Sequence, residues 1–217
     1  MTKENISKIH LELLDQKRQT LLKSIANTSD AFVLGGGTAL ALQIKHRQSF
    51  DFDFFSQKEI PKNLLEKLQK NLKISRVSRD TVDELTFYVD NVKVTFLRYP
   101  FEKVFDSVAA ENNLKYFPAK TIAIQKAYAI GRRGVYRDYF DLYTLLKDNH
   151  TALNEIILGA QDIYGEIFNP KIFLEQLVYF DDLTDFEIIA IKESQTIPGF
   201  KQVKEFLEES VKRLIMI

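Results

Sequence analysis

The 217-residue chain has no cysteine, which removes disulfides, thiolate nucleophiles and cysteine metal clusters as sources of stability or chemistry. Histidine is scarce, and His10, His46 and His150 are too scattered to suggest a histidine metal centre or hydrolytic zinc chemistry. No apolar run approaches the ~20 residues that span a bilayer. The opening stretch MTKENISKIHLELL lacks the continuous apolar core of a signal peptide. A cytoplasmic protein with no membrane partner is therefore expected. Glycine is sparse too, yet three of the eight stand together at positions 35, 36 and 37, so the few there are concentrate in one turn.

The formal charge is zero, but its distribution is not even. Residues 151–217 hold 6 of the 30 Lys and Arg and 12 of the 30 Asp and Glu, a net of −6 that leaves +6 on residues 1–150. A moderately basic segment favours a polyanionic ligand without reaching the charge of a dedicated nucleic-acid binder. The length allows an α+β domain over residues 1–117 followed by a helical domain over residues 118–217. Apolar spacing predicts a lead-in helix over residues 5–27, then a buried strand over 31–34. The glycine turn follows, with Thr38 as helix cap and helix over 39–45. A strand containing residues 50–54 comes next, and then a helix opened by Pro61 and running to about Leu72. Strands over residues 84–89 and 92–99 flank Asp90-Asn91, which reads as a two-residue hairpin turn. Beyond Pro118 the pattern is helical, over residues 119–130 and 136–147. Roughly three more helices follow, one capped by Asn169-Pro170 and another over 200–214.

The chemistry concentrates in residues 32–55, FVLGGGTALALQIKHRQSFDFDFF. A glycine turn between strand and helix is either an ordinary tight turn or a place where backbone amides approach phosphate oxygens. No third glycine stands where a dinucleotide fingerprint needs one, at Leu40, and no Lys-Ser or Lys-Thr follows as in a P-loop. Asp51 and Asp53 alternate with phenylalanines, so in a strand both carboxylates face one way. They form either the wet face of an antiparallel strand or a Mg²⁺ site completed by nucleotide phosphates. His46 and Arg47 either complement a helix C-terminus, or Arg47 contacts a triphosphate. Lys126, Ala129 and Arg133 fall on one helical stripe, which is a solvated basic face or a phosphate rest. Asp138 and Asp141 share a face near a helix start. There they stabilise the helix N-terminus, or one of them faces the metal or acts as a base.

Together these residues resemble the nucleotidyltransferase family of the AbiEii/AbiGii toxins, a branch of the superfold shared with DNA polymerase beta. The segment GGTALALQIKHRQSFDFDFF is similar to that family's glycine motif and its HR-x-S-x-D-x-D-x-F element. KAYAIGRRGVYRDYFDLYTLL is similar to its K-x-x-A-x-x-x-R and R-D-x-x-D-L-Y elements. The resemblance implies a polymerase-beta-like mixed sheet with flanking helices. Gly36, Gly37 and Thr38 would line a triphosphate site, Asp51 and Asp53 would hold Mg²⁺, and Lys126 and Arg133 would bind phosphates. Asp138 would assist catalysis or the acceptor, with Asp141 orienting its surroundings. The implied enzyme transfers a nucleoside monophosphate from an NTP to an acceptor hydroxyl, with RNA or tRNA ranked first, and is the toxin of a toxin-antitoxin or phage-defence system with a cognate antitoxin.

One position departs from the superfold. A third carboxylate is often drawn from a later strand, and Thr95 stands there. That departure motivates an alternative, a nucleotide- or RNA-binding module with weak or no turnover. A small-molecule acceptor, as in antibiotic-modifying nucleotidyltransferases, is a further alternative.

Overall fold

The computed structural model describes residues 9–28, 31–105, 107–110 and 114–216. The chain divides into two compact units, Met1–Pro118 and Ala119–Ile217. The first is a mixed sheet with helices and the second is helical.

In the first unit the lead-in segment is shorter than its apolar spacing suggests. A 3-10 turn at Leu11–Leu13 gives way to extended backbone at Leu14, and α1 spans Gln16–Thr28. Asp15 causes the break, because its carboxylate accepts from the Arg18 amide at 2.9 Å and so caps a new helix. Residues 5–8, the start of the expected helix, and 29–30, in the loop expected after it, lie outside the described residues.

The chain then forms β1 (Val33–Gly35) and α2 (Gly36–Ile44). It continues with β2 (Phe52–Ser56), α3 (Leu64–Gln69), β3 (Arg76–Asp80), β4 (Glu84–Val89) and β5 (Val92–Arg98). Two short strands, β6 (Val108–Ala109) and β7 (Lys115–Tyr116), close the unit. The sheet order is β3-β4-β5-β2-β1-β7-β6. β2 runs parallel to β5 and antiparallel to β1, and β1 runs parallel to β7.

The hairpin forms where expected, and Asp90 and Asn91 both adopt positive φ, 46° and 66°, as the type I′ turn between twisted strands requires. Phe52, Phe54, Leu85, Phe87, Val94 and Phe96 turn to the core face, all at 1% exposure or less. Phe54 and Phe87 stack on Phe96, with centroids at 5.1 and 6.2 Å. Each such ring contributes roughly 1.5–3 kcal/mol on burial, so this face fixes the register of β2, β4 and β5.

Several boundaries shift. β1 covers Val33–Gly35 in place of residues 31–34, so the first glycine belongs to the strand, and α3 ends at Gln69, short of Leu72. β2 begins at Phe52, so Asp51 precedes the strand. α2 begins at Gly36, so Thr38 lies inside the helix rather than capping it. α3 begins at Leu64, after a turn closed by the Leu64 amide donating to the Pro61 carbonyl at 2.8 Å.

The second unit consists of α4 (Ala119–Ile130), α5 (Tyr136–Lys147), α6 (Leu153–Tyr164), α7 (Pro170–Leu177) and α8 (Phe200–Ile215). Asn169 caps α7 as its sequence foretells, its side-chain oxygen accepting from the Lys171 and Ile172 amides. α4 packs against α5, α6 and α7, and α8 against α5, α6 and α7. Ile122, Phe140, Leu145, Ile156, Phe173 and Leu207 fill the centre at 1% exposure or less. No helix among the described residues is long and apolar enough to cross a membrane.

Candidate active site

The register of β1 and β2 sets Gly35 opposite Asp53, so the glycine turn and the second aspartate meet through sheet pairing. Gly36 adopts a φ of +64°, and a β-carbon on it would sit 2.5 Å from Asp53 Oδ2. The missing side chain is therefore what lets this carboxylate rest against the start of α2. A β-carbon on Gly37 would lie 2.6 Å from Arg47 Nη2 and 3.2 Å from Ser49 Oγ. The turn is thus lined by Asp53 on one side and by Arg47 and Ser49 on the other. Arg47 is buried at 4% exposure and donates to the Gln48 carbonyl at 3.0 Å. His46 is buried as well, so neither is a loose solvent cation at the end of α2.

Thr38 is buried at 1% exposure. Its hydroxyl lies 2.9 Å from Ser49 Oγ and donates to the Asp51 carbonyl. Thr38 thereby ties the helix to the loop that presents Asp51. The Asp51 carboxylate is exposed, and its Oδ1 accepts from the Lys93 amide at 3.2 Å. Asp53 is half-buried. Ser49 is the fixed serine of the HR-x-S-x-D-x-D-x-F element, whereas the Lys93 amide has no signature in the sequence and is placed by strand pairing alone.

Thr95 pairs with Asp53 across β2 and β5 and with Thr86 across β4 and β5. Paired residues project to one face of a sheet, so the Thr95 hydroxyl sits beside the Asp53 carboxylate. It is 4% exposed, and its oxygen has no hydrogen-bond partner. Such an oxygen costs free energy unless something satisfies it. Among the described residues no group of three or more His, Cys, Asp or Glu forms a metal cluster. Two carboxylates, with an unsatisfied neutral oxygen beside one of them, fit a single hard cation whose other positions are filled by phosphate and water. The same set is poor for a second ion, which would need another charge.

The second unit holds a different arrangement. Lys126 on α4 is buried and contacts Asp138 Oδ1 at 2.7 Å and Asp141 Oδ2 at 2.6 Å. Arg133 lies beyond the end of α4 and is not on a continuous helical stripe. It nonetheless donates to Asp138 Oδ2 from Nε at 3.1 Å and Nη2 at 2.9 Å. The turn over residues 131–134 makes this possible, the Arg132 and Arg133 amides both donating to the Ala129 carbonyl. Burial alone would push the Asp138 carboxyl up, but the charges of Lys126 and Arg133 outweigh it and hold the group below the ordinary range. Asp141 is 0% exposed and Lys126 6%, so neither belongs to a solvated face. Two cations and two anions make the cluster neutral, and only the Arg133 side chain is substantially exposed, at 61%.

A model of the nucleotidyl transferase AbiEii toxin family, from type IV toxin-antitoxin systems, matches residues 20–202. An uncharacterised protein of Aquifex aeolicus strain VF5 is 32% identical over 209 residues, covering 94% of this chain and 98% of its own length. Two solved structures show the same fold. A Helicobacter pylori protein described as a nucleotidyltransferase superposes with a TM-score of 0.56 at 19% identity, over 93% of this chain and 96% of its own. The nucleotidyltransferase toxin MenT4 of Mycobacterium tuberculosis H37Rv does so with a TM-score of 0.55 at 13% identity, over 100% of this chain and 90% of its own. The polymerase-beta-like architecture expected from the sequence is therefore present. The family match takes in both the glycine turn with its aspartates and the Lys126–Asp138 segment, and the chain belongs to the AbiEii nucleotidyltransferase toxin family.

Proposed function

We propose that this nucleotidyltransferase moves a nucleoside monophosphate from an NTP to a hydroxyl of RNA, with tRNA first, and does so in the cytoplasm as a toxin restrained by a cognate antitoxin. The observation that carries the reading is the Asp53 carboxylate seated against Gly36 at the N-terminus of α2. A helix start offers backbone donors to phosphate oxygens, and a cation held by the acid beside it would let acid and phosphate share that place. Asp51 and Asp53 are the residues that would hold Mg²⁺, which would supply charge neutralisation at the triphosphate.

In the reaction the acceptor oxygen bonds to the α-phosphorus, the bond from that phosphorus to the pyrophosphate oxygen breaks, and the hydroxyl proton passes to water. The protein's part is positioning and electrostatics. Gly36 and Gly37 admit the phosphates close to the backbone, and Arg47 stands beside Gly37 to meet their charge. Thr38 acts on the triphosphate site by fixing Asp51 through its carbonyl. In the second unit, Arg133 presents the exposed guanidinium to a phosphate, and Lys126 and Asp141 hold Asp138 so that Asp138 orients Arg133. An Asp138 kept ionised by two cations is a weak candidate for taking the acceptor proton.

Incubation with α-labelled triphosphates, Mg²⁺ and total tRNA tests the reading, with Asp51→Ala as control. Label on tRNA from the native protein alone is expected. No label, or equal label in the control, contradicts the proposal, and label on a small molecule instead replaces the RNA acceptor.

A further inference from the structure

Residues 178–199, between α7 and α8, contain no helix or strand. A connection of that length without regular structure is uncommon in a compact unit and often serves function. Part of it is nevertheless pinned. Phe180 and Leu183 are buried, at 6% and 8% exposure, and the Phe180 ring meets those of Tyr139 and Phe200 at 5.4 and 5.6 Å. Next in the chain, Thr184 forms a parallel bridge with Val135.

The bridge closes on the residues between Arg133 and Asp138. The Thr184 amide donates to the Gly134 carbonyl at 2.9 Å, and the Thr184 hydroxyl donates to the same carbonyl at 3.0 Å. The Tyr136 amide donates in return to the Thr184 carbonyl at 2.8 Å. Phe186 stacks on Tyr136 with centroids 5.2 Å apart, and Asp185 pairs with Arg137 at 2.9 Å. A β-carbon on Gly134 would stand 2.9 Å from the Asp182 carbonyl oxygen. Gly134 has no positive φ, so the absence of a side chain there serves the approach of this strap rather than the bend of the turn.

Arg133 lies between two restraints. Its own amide donates back to Ala129, and the strap holds the following residues before α5 begins at Tyr136. Asp138 orients the guanidinium, and the strap fixes the backbone from which it extends. A cation already held in place loses less freedom when it meets a phosphate. Thr184 is exposed, so its bonds compete with water and weigh more on local geometry than on global stability. We propose, on the reading of Arg133 as a phosphate contact, that Thr184 is a positioning residue which sets Arg133 against the triphosphate through Gly134 and Tyr136.

The test is calorimetric titration of the full chain with nonhydrolysable analogues of ATP, GTP, CTP and UTP in Mg²⁺, using the one that binds tightest. Arg133→Ala should weaken binding about tenfold, as loss of a charged hydrogen bond does. Gly134→Ala displaces Asp182, and Thr184→Pro removes the amide and hydroxyl that reach Gly134. Each should weaken binding about fivefold, the cost of ordering one long side chain on association. Thr184→Ser keeps both donors and should bind as the native chain does. In the Arg133→Ala background, Gly134→Ala should change binding by less than about twofold, since one contact cannot be lost twice. Asn169→Ala, which weakens the α7 cap in the same unit, should leave binding native. Native-like binding by either Gly134→Ala or Thr184→Pro overturns the positioning role while leaving the transferase reading intact. So does a full further loss in the Arg133→Ala background, or an equal loss in Asn169→Ala, either of which marks a merely structural effect. Native-like binding by Arg133→Ala overturns the phosphate contact and the positioning role together. Failure of the native chain to bind any analogue overturns the transferase reading as well.

Discussion

The aspartates of the two units meet opposite fates. Asp138 and Asp141 are buried at 4% and 0% exposure against Lys126, with Arg133 closing the cluster. Asp51 is exposed and Asp53 half-buried, held by a backbone amide, a glycine turn and a threonine-tied loop. The first pair is enclosed by cations of its own unit, whereas the second lies beside backbone donors and, on the proposed reading, serves a ligand. The lesson is that carboxylate pairs of similar spacing take their roles from the partners that the fold supplies.

The largest expected effect is at Asp53. Asp53→Asn keeps the shape and removes the charge, and label transfer to tRNA should fall by at least about 10³-fold, since neutralising transition-state charge is worth several kcal/mol. Urea unfolding of the same variant should lose less than that of Asp141→Ala, because Asp53 is half-buried and Asp141 fully buried.

Asp141→Ala should show the reverse ordering. Leaving Lys126 short of one buried partner costs about 3–5 kcal/mol of stability, read as a lower midpoint in urea. The same cluster sets an acid limit. Because Asp138 has a lowered pKa in the folded protein, its stabilisation is present above its unfolded pKa of about 3.9. It is lost as pH falls through the lower folded value, so unfolding below about pH 4 should be blunted in Asp138→Asn.

Gly36→Ala should cost about 1–2 kcal/mol from its positive φ alone. It should also depress activity further, since the new β-carbon meets Asp53 Oδ2 at 2.5 Å. The smallest effect belongs to Thr95→Val, which removes a buried hydroxyl that has no partner. Its stability should stay within about 1 kcal/mol of native, and a larger loss would show that the hydroxyl is satisfied. Thr95→Asp sharpens the same point by raising the Mn²⁺ bound per chain, counted by electron paramagnetic resonance, from one to two.

Local chemistry made much of the fold legible. Asp90-Asn91 announces a hairpin because few residues tolerate successive positive φ, and helices α4 and α5 fall on the expected residues because a two-glycine break separates two periodic runs. β3 was invisible because both its faces are exposed and its Arg-Val-Ser-Arg-Asp run shows no alternation. Asp51 fell outside its strand because alternation in sequence does not reveal where hydrogen-bonded pairing begins. Lys126 reads in sequence as part of a solvated basic face or a phosphate rest, because spacing along one helix cannot show that acids on the next helix enclose it. The pairing of Thr95 with Asp53 was readable only in part, since sequence order suggested the strand and the register decided the contact.

If Asp51 and Asp53 join a divalent cation to a triphosphate at the glycine turn, triphosphate affinity depends on both Mg²⁺ and Asp53. The deciding experiment is calorimetric titration of a nonhydrolysable triphosphate with and without Mg²⁺, in the native chain and in Asp53→Asn. Binding that requires Mg²⁺ and is lost in the variant is the predicted result. Equal binding by the variant, or binding indifferent to Mg²⁺, would contradict it.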